Sequence, residues 1–280
     1  MKHLNAVILA LILLHSGGCE KIEYMPDNPF NGIPTKVLMH RGNGFNTDFT
    51  QNTLPAAEYG LSLMDGIEQD IQMSKDGTLW LDHDNEVHDC DGNTIGCFQT
   101  MTDDEISSYA TCNDTVRYYT LESVFELIAS EYPDSYISLD IKGQYCEIVN
   151  SVETMRQMAH SVLALVDKYD RQNKVLVESS SPEFLQELAD QSAVGQCFIE
   201  FGDVDAGLAN AAATKTRGIS LEYGVEEINA DVVSLIHNKG YGLILWTIND
   251  SVDIQAAWAS KPDFIETDVA NFYDYISKKK

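Results

Sequence analysis

Positive charge is scarce in this chain: 18 Lys and Arg stand against 44 Asp and Glu in 280 residues, a formal net charge of −26. Such an excess repels phosphate backbones and anionic bilayers. It argues against nucleic acid as a partner and requires a local cation cluster or a metal wherever a phosphate-bearing substrate is to enter. Long apolar runs are lacking too: beyond residue 18 nothing approaches the roughly 20 consecutive apolar residues of a membrane-crossing helix. The six cysteines include no CxxC pair and no matching histidine spacing, which argues against a zinc site. A dinucleotide fingerprint is also missing, because HRGNGF at 40–45 lacks the third glycine.

The first residues differ in kind from the rest. Lys2 precedes an apolar run, Ala6 to Leu14, and then small residues lead to Cys19. Residues 1–18 read as an export signal, and Ser16-Gly17-Gly18-Cys19 resembles a bacterial lipoprotein cleavage box with Cys19 as the lipidated residue. The usual Leu is replaced by Ser16. An exported protein of the periplasm or cell envelope is expected, touching a membrane only through that N-terminal lipid anchor. In such a compartment disulfides persist, and Cys90, Cys97 and Cys112 cluster in a polar stretch. One bridge among these three is expected, with Cys146 and Cys197 reduced; spacing does not select the pair.

From Val37 onward, β-rich apolar runs alternate with helix-length amphipathic stretches. The runs are 37–40, 66–71, 136–141, 174–179, 196–201, 218–223, 242–247 and 264–268. Between them lie helix starts: Asn52-Thr53, Thr120, and Ser181 followed by Pro182 at the first helical position. Repeated βα units of this number predict a single (β/α)8 TIM barrel over residues 36–280, with its site at the carboxyl ends of the strands. Ser74-Lys75-Asp76-Gly77 predicts a β-hairpin appended to the second strand. Residues 85–118 lack the barrel periodicity and are expected to form a small lid-like insertion.

Alternation along a strand turns Glu68 and Asp70 to one face and Gln69 to the other. Across the hairpin, Asp82 and His83 fall opposite Asp70. His40 ends the first strand, with Arg41 and Gly42 directly after it. Asp140 adds a third carboxylate and Lys142 a second cation. Oxygen-rich cages of this kind suit one divalent cation, Ca²⁺ or Mg²⁺. Two histidines beside a hard metal and a basic pair supply an acid, a base and charge stabilisation, the requirements of phosphodiester cleavage.

HRG at 40–42, QNTLPAAEYG at 51–60, IEQDIQMSKDGTLWLDHD at 67–84, LDIK at 139–142, LWTIN at 245–249 and FIETD at 264–268 resemble, in order and spacing, the glycerophosphodiester phosphodiesterase family of the phosphatidylinositol phospholipase C-like superfamily. The resemblance covers about residues 36–275. It implies metal-dependent hydrolysis of glycerophosphodiesters to glycerol 3-phosphate and an alcohol. By that resemblance His40 and His83 are the acid/base pair, and Glu68, Asp70 and Asp140 hold the divalent cation. Arg41 and Lys142 bind the phosphate, Trp246 lies near the glycerol, and Gln51 and Asn52 support the site from behind.

Two departures bear on that site. Gln51 stands where the family has Glu, putting the placement of Arg41 in question. Asp140 stands where the family has Glu, drawing the ligand back by about one C–C bond, roughly 1.5 Å. Two rival readings follow. One is a phospholipase C- or D-like phosphodiesterase acting on lipid, which the acidic insertion disfavours. The other is a barrel that binds a phosphorylated polyol without cleaving it.

Overall fold

The computed structural model describes residues 32–143, 151–189, 195–200 and 202–277. The expected export segment, Cys19 and Cys146 lie outside these residues. Eight parallel strands close into a barrel: β1 (Lys36–Met39), β2 (Gly66–Met73), β3 (Tyr136–Ile141), β4 (Val175–Ser179), β5 (Gly195–Glu200), β6 (Gly218–Glu222), β7 (Gly242–Trp246) and β8 (Phe264–Thr267). Each strand pairs with its sequence neighbour. The ring closes on both sides of β1, through Leu38↔Gly66 to β2 and Lys36↔Phe264 to β8.

The helices between strands follow from their spacing. Helix Leu121–Glu131 buries Leu121, Val124, Phe125 and Ile128, the i, i+3, i+4, i+7 stripe of a helix lying on a sheet. Thr120 caps it by accepting from Ser123 N, and Thr53 caps Leu54–Leu63 in the same way through Ala56 N. Each such cap contributes about 1 kcal/mol.

Strand alternation orders the barrel interior. Its lower layer is apolar: Leu38, Tyr136, Leu176, Cys197, Ile244 and Phe264 pack together. Two residues further along the same strands come His40, Ser138, Glu178, Ile199, Trp246 and Glu266, a layer dominated by polar groups. One phase of the pleat therefore builds both the plug that fills the barrel and the chemistry above it.

The hairpin forms as expected. After the turn at Ser74–Thr78, the return strand Leu79–Leu81 pairs antiparallel with β2, Ile71 opposite Leu81, and Asp82 N donates to Asp70 O at 3.1 Å. The insertion carries a core of its own: Val87, Phe98, Met101, Ile106 and Tyr118 pack around Trp80 of the return strand. Trp80 Nε1 also donates to Asp103 at 3.1 Å. These apolar positions anchor the insertion beside the hairpin, and among the described residues none of 85–118 lines the barrel-mouth cavity.

Cys90 and Cys112 form a disulfide with Cα atoms 5.5 Å apart, and Cys197 is free and buried. Cys97 is disulfide-bonded as well. One bridge among Cys90, Cys97 and Cys112 is as expected, and the structure selects the pair. Mass mapping without reductant is expected to recover the Cys90 and Cys112 peptides linked. Replacing both by Ser should cost up to about 3 kcal/mol, the chain-entropy value for a loop of this length. Two free thiols at these positions would refute the pairing.

Candidate active site

The catalytic rim begins where β1 ends. His40 Nδ1 lies 2.8 Å from Asp268 Oδ1, at the end of the adjacent β8. Asp268 is itself fixed by Asn249, whose Nδ2 donates to Oδ2 at 2.8 Å while its Oδ1 accepts from Asp268 N at 2.8 Å. Burial pushes the Asp268 carboxyl up, but His40, Asn249 and the Arg41 charge together outweigh it and the net shift is downward. A carboxylate at Nδ1 assigns the proton of the neutral ring to that nitrogen. Nε2 is left as the acceptor, 3.8 Å from Glu68 Oε2.

Directly after His40 the chain turns sharply, with φ of +52° at Arg41 and +76° at Gly42. A Cβ on Gly42 would stand 2.8 to 2.9 Å from the backbone of Ala56 and Ala57 and from the Gln69 amide, so only glycine fits beneath the following helix. The turn presents Arg41 N to Glu68 Oε2 at 2.9 Å and its guanidinium to Asp70, with Nε 3.0 Å from Oδ2. Gln51 Oε1 accepts from Arg41 Nη1 at 3.1 Å. The amide at this position thus still holds the guanidinium. Asn52 grips Asp70 twice, donating Nδ2–H to Oδ2 at 2.7 Å and accepting from Asp70 N at 3.0 Å.

Glu68, Asp70 and Asp140 bring ligand oxygens within 4.8 Å of one another. Register explains the convergence, because Asp70 and Asp140 are direct partners on β2 and β3. Lys142 supplies counter-charge, with Nζ 2.8 Å from Asp70 Oδ1 and 2.5 Å from Asp140 Oδ2. The resulting electrostatics are uneven. Burial, then the charges of Asp70 and Asp140, push Glu68 well above the usual carboxylate range. For Asp140, burial outweighs Lys142 and lifts the carboxyl to about 6. Burial acts on Asp70 too, but Lys142 and Arg41 overcome it and its pKa is lowered. Lys142 is shifted upward, since Asp140 and Asp70 outweigh its own desolvation.

A divalent cation fits this set. The donors are all hard oxygens, and Glu68 Oε1 is buried without a hydrogen-bond partner. Asp140 reaches the cluster despite its shorter side chain.

His83 follows the return strand, its Nδ1 2.8 Å from Asp84 Oδ1. Burial also lifts neighbouring Asp82, to about 7. His40, Arg41, His83, Lys142 and Trp246 all border one cavity of about 370 Å³, together with Glu68 and Asp140. Asp70 and Asn52 stand behind it. Every sequence-derived site residue within the described part is thus at this rim, with Gln51 on its outer side; Cys19 lies outside the described residues.

Residues 40–271 match the glycerophosphoryl diester phosphodiesterase family. The chain belongs to that family. Curated relatives agree: a glycerophosphodiester phosphodiesterase of Caldanaerobacter subterraneus subsp. tengcongensis is 25% identical over 248 residues, spanning 84% of this chain and 95% of the relative. One from Bacillus altitudinis is 30% identical over 152 residues, spanning 52% of this chain and 58% of the relative. Among solved structures, a glycerophosphodiester phosphodiesterase from Parabacteroides distasonis superposes with a TM-score of 0.71 at 20% identity, covering 87% of this chain and 96% of that one. An Oleispira antarctica phosphodiesterase solved with the product sn-glycerol-3-phosphate gives 0.67 at 18% identity, covering 88% and 98%.

Sequence reasoning on this phosphodiesterase missed four residues of the site. Asp268 and Asn249 lie inside the FIETD and LWTIN segments, yet their service to His40 depends on β8 lying between β1 and β7. Glu178 and Glu266 also escaped notice. Their signal was present in principle: each is a carboxylate inside a barrel strand, two residues beyond an inward apolar residue, in the phase that carries His40.

Proposed function

We propose that this family member hydrolyses glycerophosphodiesters to glycerol 3-phosphate and an alcohol, with one divalent cation, Ca²⁺ or Mg²⁺, held by Glu68, Asp70 and Asp140. The observation carrying this reading is the convergence of those three carboxylates on the same cavity as two histidines and two cations. The sn-glycerol-3-phosphate bound to the Oleispira antarctica phosphodiesterase supports the substrate class.

When bound, the cation supplies Lewis-acid stabilisation of charge on the reacting oxygens. Arg41 and Lys142 bind the phosphate oxygens and offset the charge that builds at phosphorus. His40, held through Nδ1 by Asp268, accepts the proton of the attacking hydroxyl at Nε2. His83, which borders the same cavity, donates a proton to the departing alcohol oxygen. Trp246 packs a flat apolar surface against the glycerol carbons. Net hydrolysis breaks one P–O bond and adds the elements of water, and the two histidines exchange roles to restore their starting protonation.

The test is a product assay over glycerophosphodiesters bearing choline, ethanolamine, glycerol and inositol head groups. Release of glycerol 3-phosphate from at least one of them is expected. Release of a phosphorylated head group, or no cleavage of any, would reject the assignment.

A further inference from the structure

The cavity is also lined by a second pair of acids, Glu178 of β4 and Glu266 of β8. Only 2% of Glu178 and 3% of Glu266 is exposed. Both oxygens of Glu178 are engaged, one by the Ser138 hydroxyl and one by the Ser220 hydroxyl. Glu266 hydrogen-bonds Glu178. Two carboxyl groups in contact need one proton between them, and Glu178 is already the acceptor of two hydroxyls. Glu266 is therefore the donor of that pair. Its Oε1 is left buried, without a hydrogen-bond partner, at a position bordering the cavity.

The chemistry of that oxygen selects its ligand. An anion is repelled by Glu178 and Glu68 alongside. A second hard cation needs several open oxygens, and the serines have taken those of Glu178. A neutral hydroxyl donor meets both conditions, because it fills one acceptor and brings no charge. Leaving a buried acceptor unmade costs about 1–3 kcal/mol, so a ligand that satisfies it gains selectivity of that order.

We propose that Glu266 is a specificity-determining residue, its Oε1 accepting a hydrogen bond from a hydroxyl of the substrate's polyol while Glu178, held by Ser138 and Ser220, keeps it in place. This inference rests on the phosphodiesterase reading of the site.

The experiment compares kcat/KM, with the divalent cation present, for a glycerophosphodiester and for matched diesters in which one glycerol hydroxyl is replaced by hydrogen. The parent protein is expected to prefer one hydroxyl-bearing form by about 10- to 100-fold. E266L should bring that preference to within about threefold. E266Q should retain it, because the amide can donate to Glu178 and leave its oxygen toward the cavity. An absent preference in the parent, which is read without any variant, overturns the proposal. So does an undiminished preference in E266L. Cleavage of a nitrophenyl diester with no cleavage of any glycerophosphodiester would overturn the substrate reading and this proposal with it. Cleavage of glycerophosphodiesters with a preference indifferent to residue 266 would overturn this proposal alone.

Discussion

Glu68→Ala is expected to lower kcat by about 10²- to 10³-fold, corresponding to the loss of roughly 3–4 kcal/mol of metal-derived stabilisation of the transition state. Two roles meet in this side chain, and the variants can separate them. Glu68 Oε2 accepts from Arg41 N and so props the left-handed turn at Arg41. Its Oε1 is the open oxygen offered to a cation. Glu68→Gln keeps the volume and an acceptor for Arg41 N but removes the negative charge. A cation ligand predicts that Gln is nearly as damaging as Ala. Near-parental activity in Glu68→Gln would show that the residue is only a backbone prop.

Asp70→Ala should be equally inactive for an added reason: Lys142 and Arg41 both rest on this carboxylate. Excess chelator should silence the parent protein, and a divalent cation should restore it. Undiminished turnover in chelator would remove the metal from the mechanism, whatever the variants do. Thermal melts of each variant separate lost chemistry from lost fold.

The second large effect concerns the histidines. His40→Ala and His83→Ala should each lower kcat on the natural diester by at least about 10²-fold, the usual size of an acid/base contribution. Substrate binding should survive, since the proposed mechanism leaves Arg41 and Lys142 to bind the phosphate. The two variants are expected to diverge when the leaving group changes. A nitrophenyl alcohol departs with little need of a proton, so His83→Ala should recover much of its rate on a nitrophenyl diester. His40→Ala should stay impaired on both substrates, because the attacking hydroxyl must lose its proton in either case. The reverse pattern would exchange the two roles. Parental rates in both variants would mean that neither histidine moves a proton in the slow step.

The architecture was legible because its signals are local. Eight apolar runs separated by capped amphipathic stretches correspond to the eight barrel strands, with ends differing by one or two residues. Pleat alternation was enough to place Glu68 and Asp70 on one face, and the Asp-Gly turn was enough to bring Asp82 opposite Asp70. The insertion was harder. Its apolar residues follow neither helical nor strand periodicity, and they make sense only once Trp80 is seen as the centre they surround.

By itself, then, the chain determined the elements, the barrel, and which residues arrive at its rim, because a strand carries its own two-residue periodicity and its own point of exit. Tertiary structure alone decided which of those residues meet. Closure of β8 against β1 joins Asp268 to His40, though 228 positions separate them. The β2–β3 register sets Asp70 beside Asp140. The barrel interior draws Glu178 and Glu266 to the wall of one cavity. Distances across a closed barrel depend on the order and stagger of its strands, a property of the whole ring that no single segment contains.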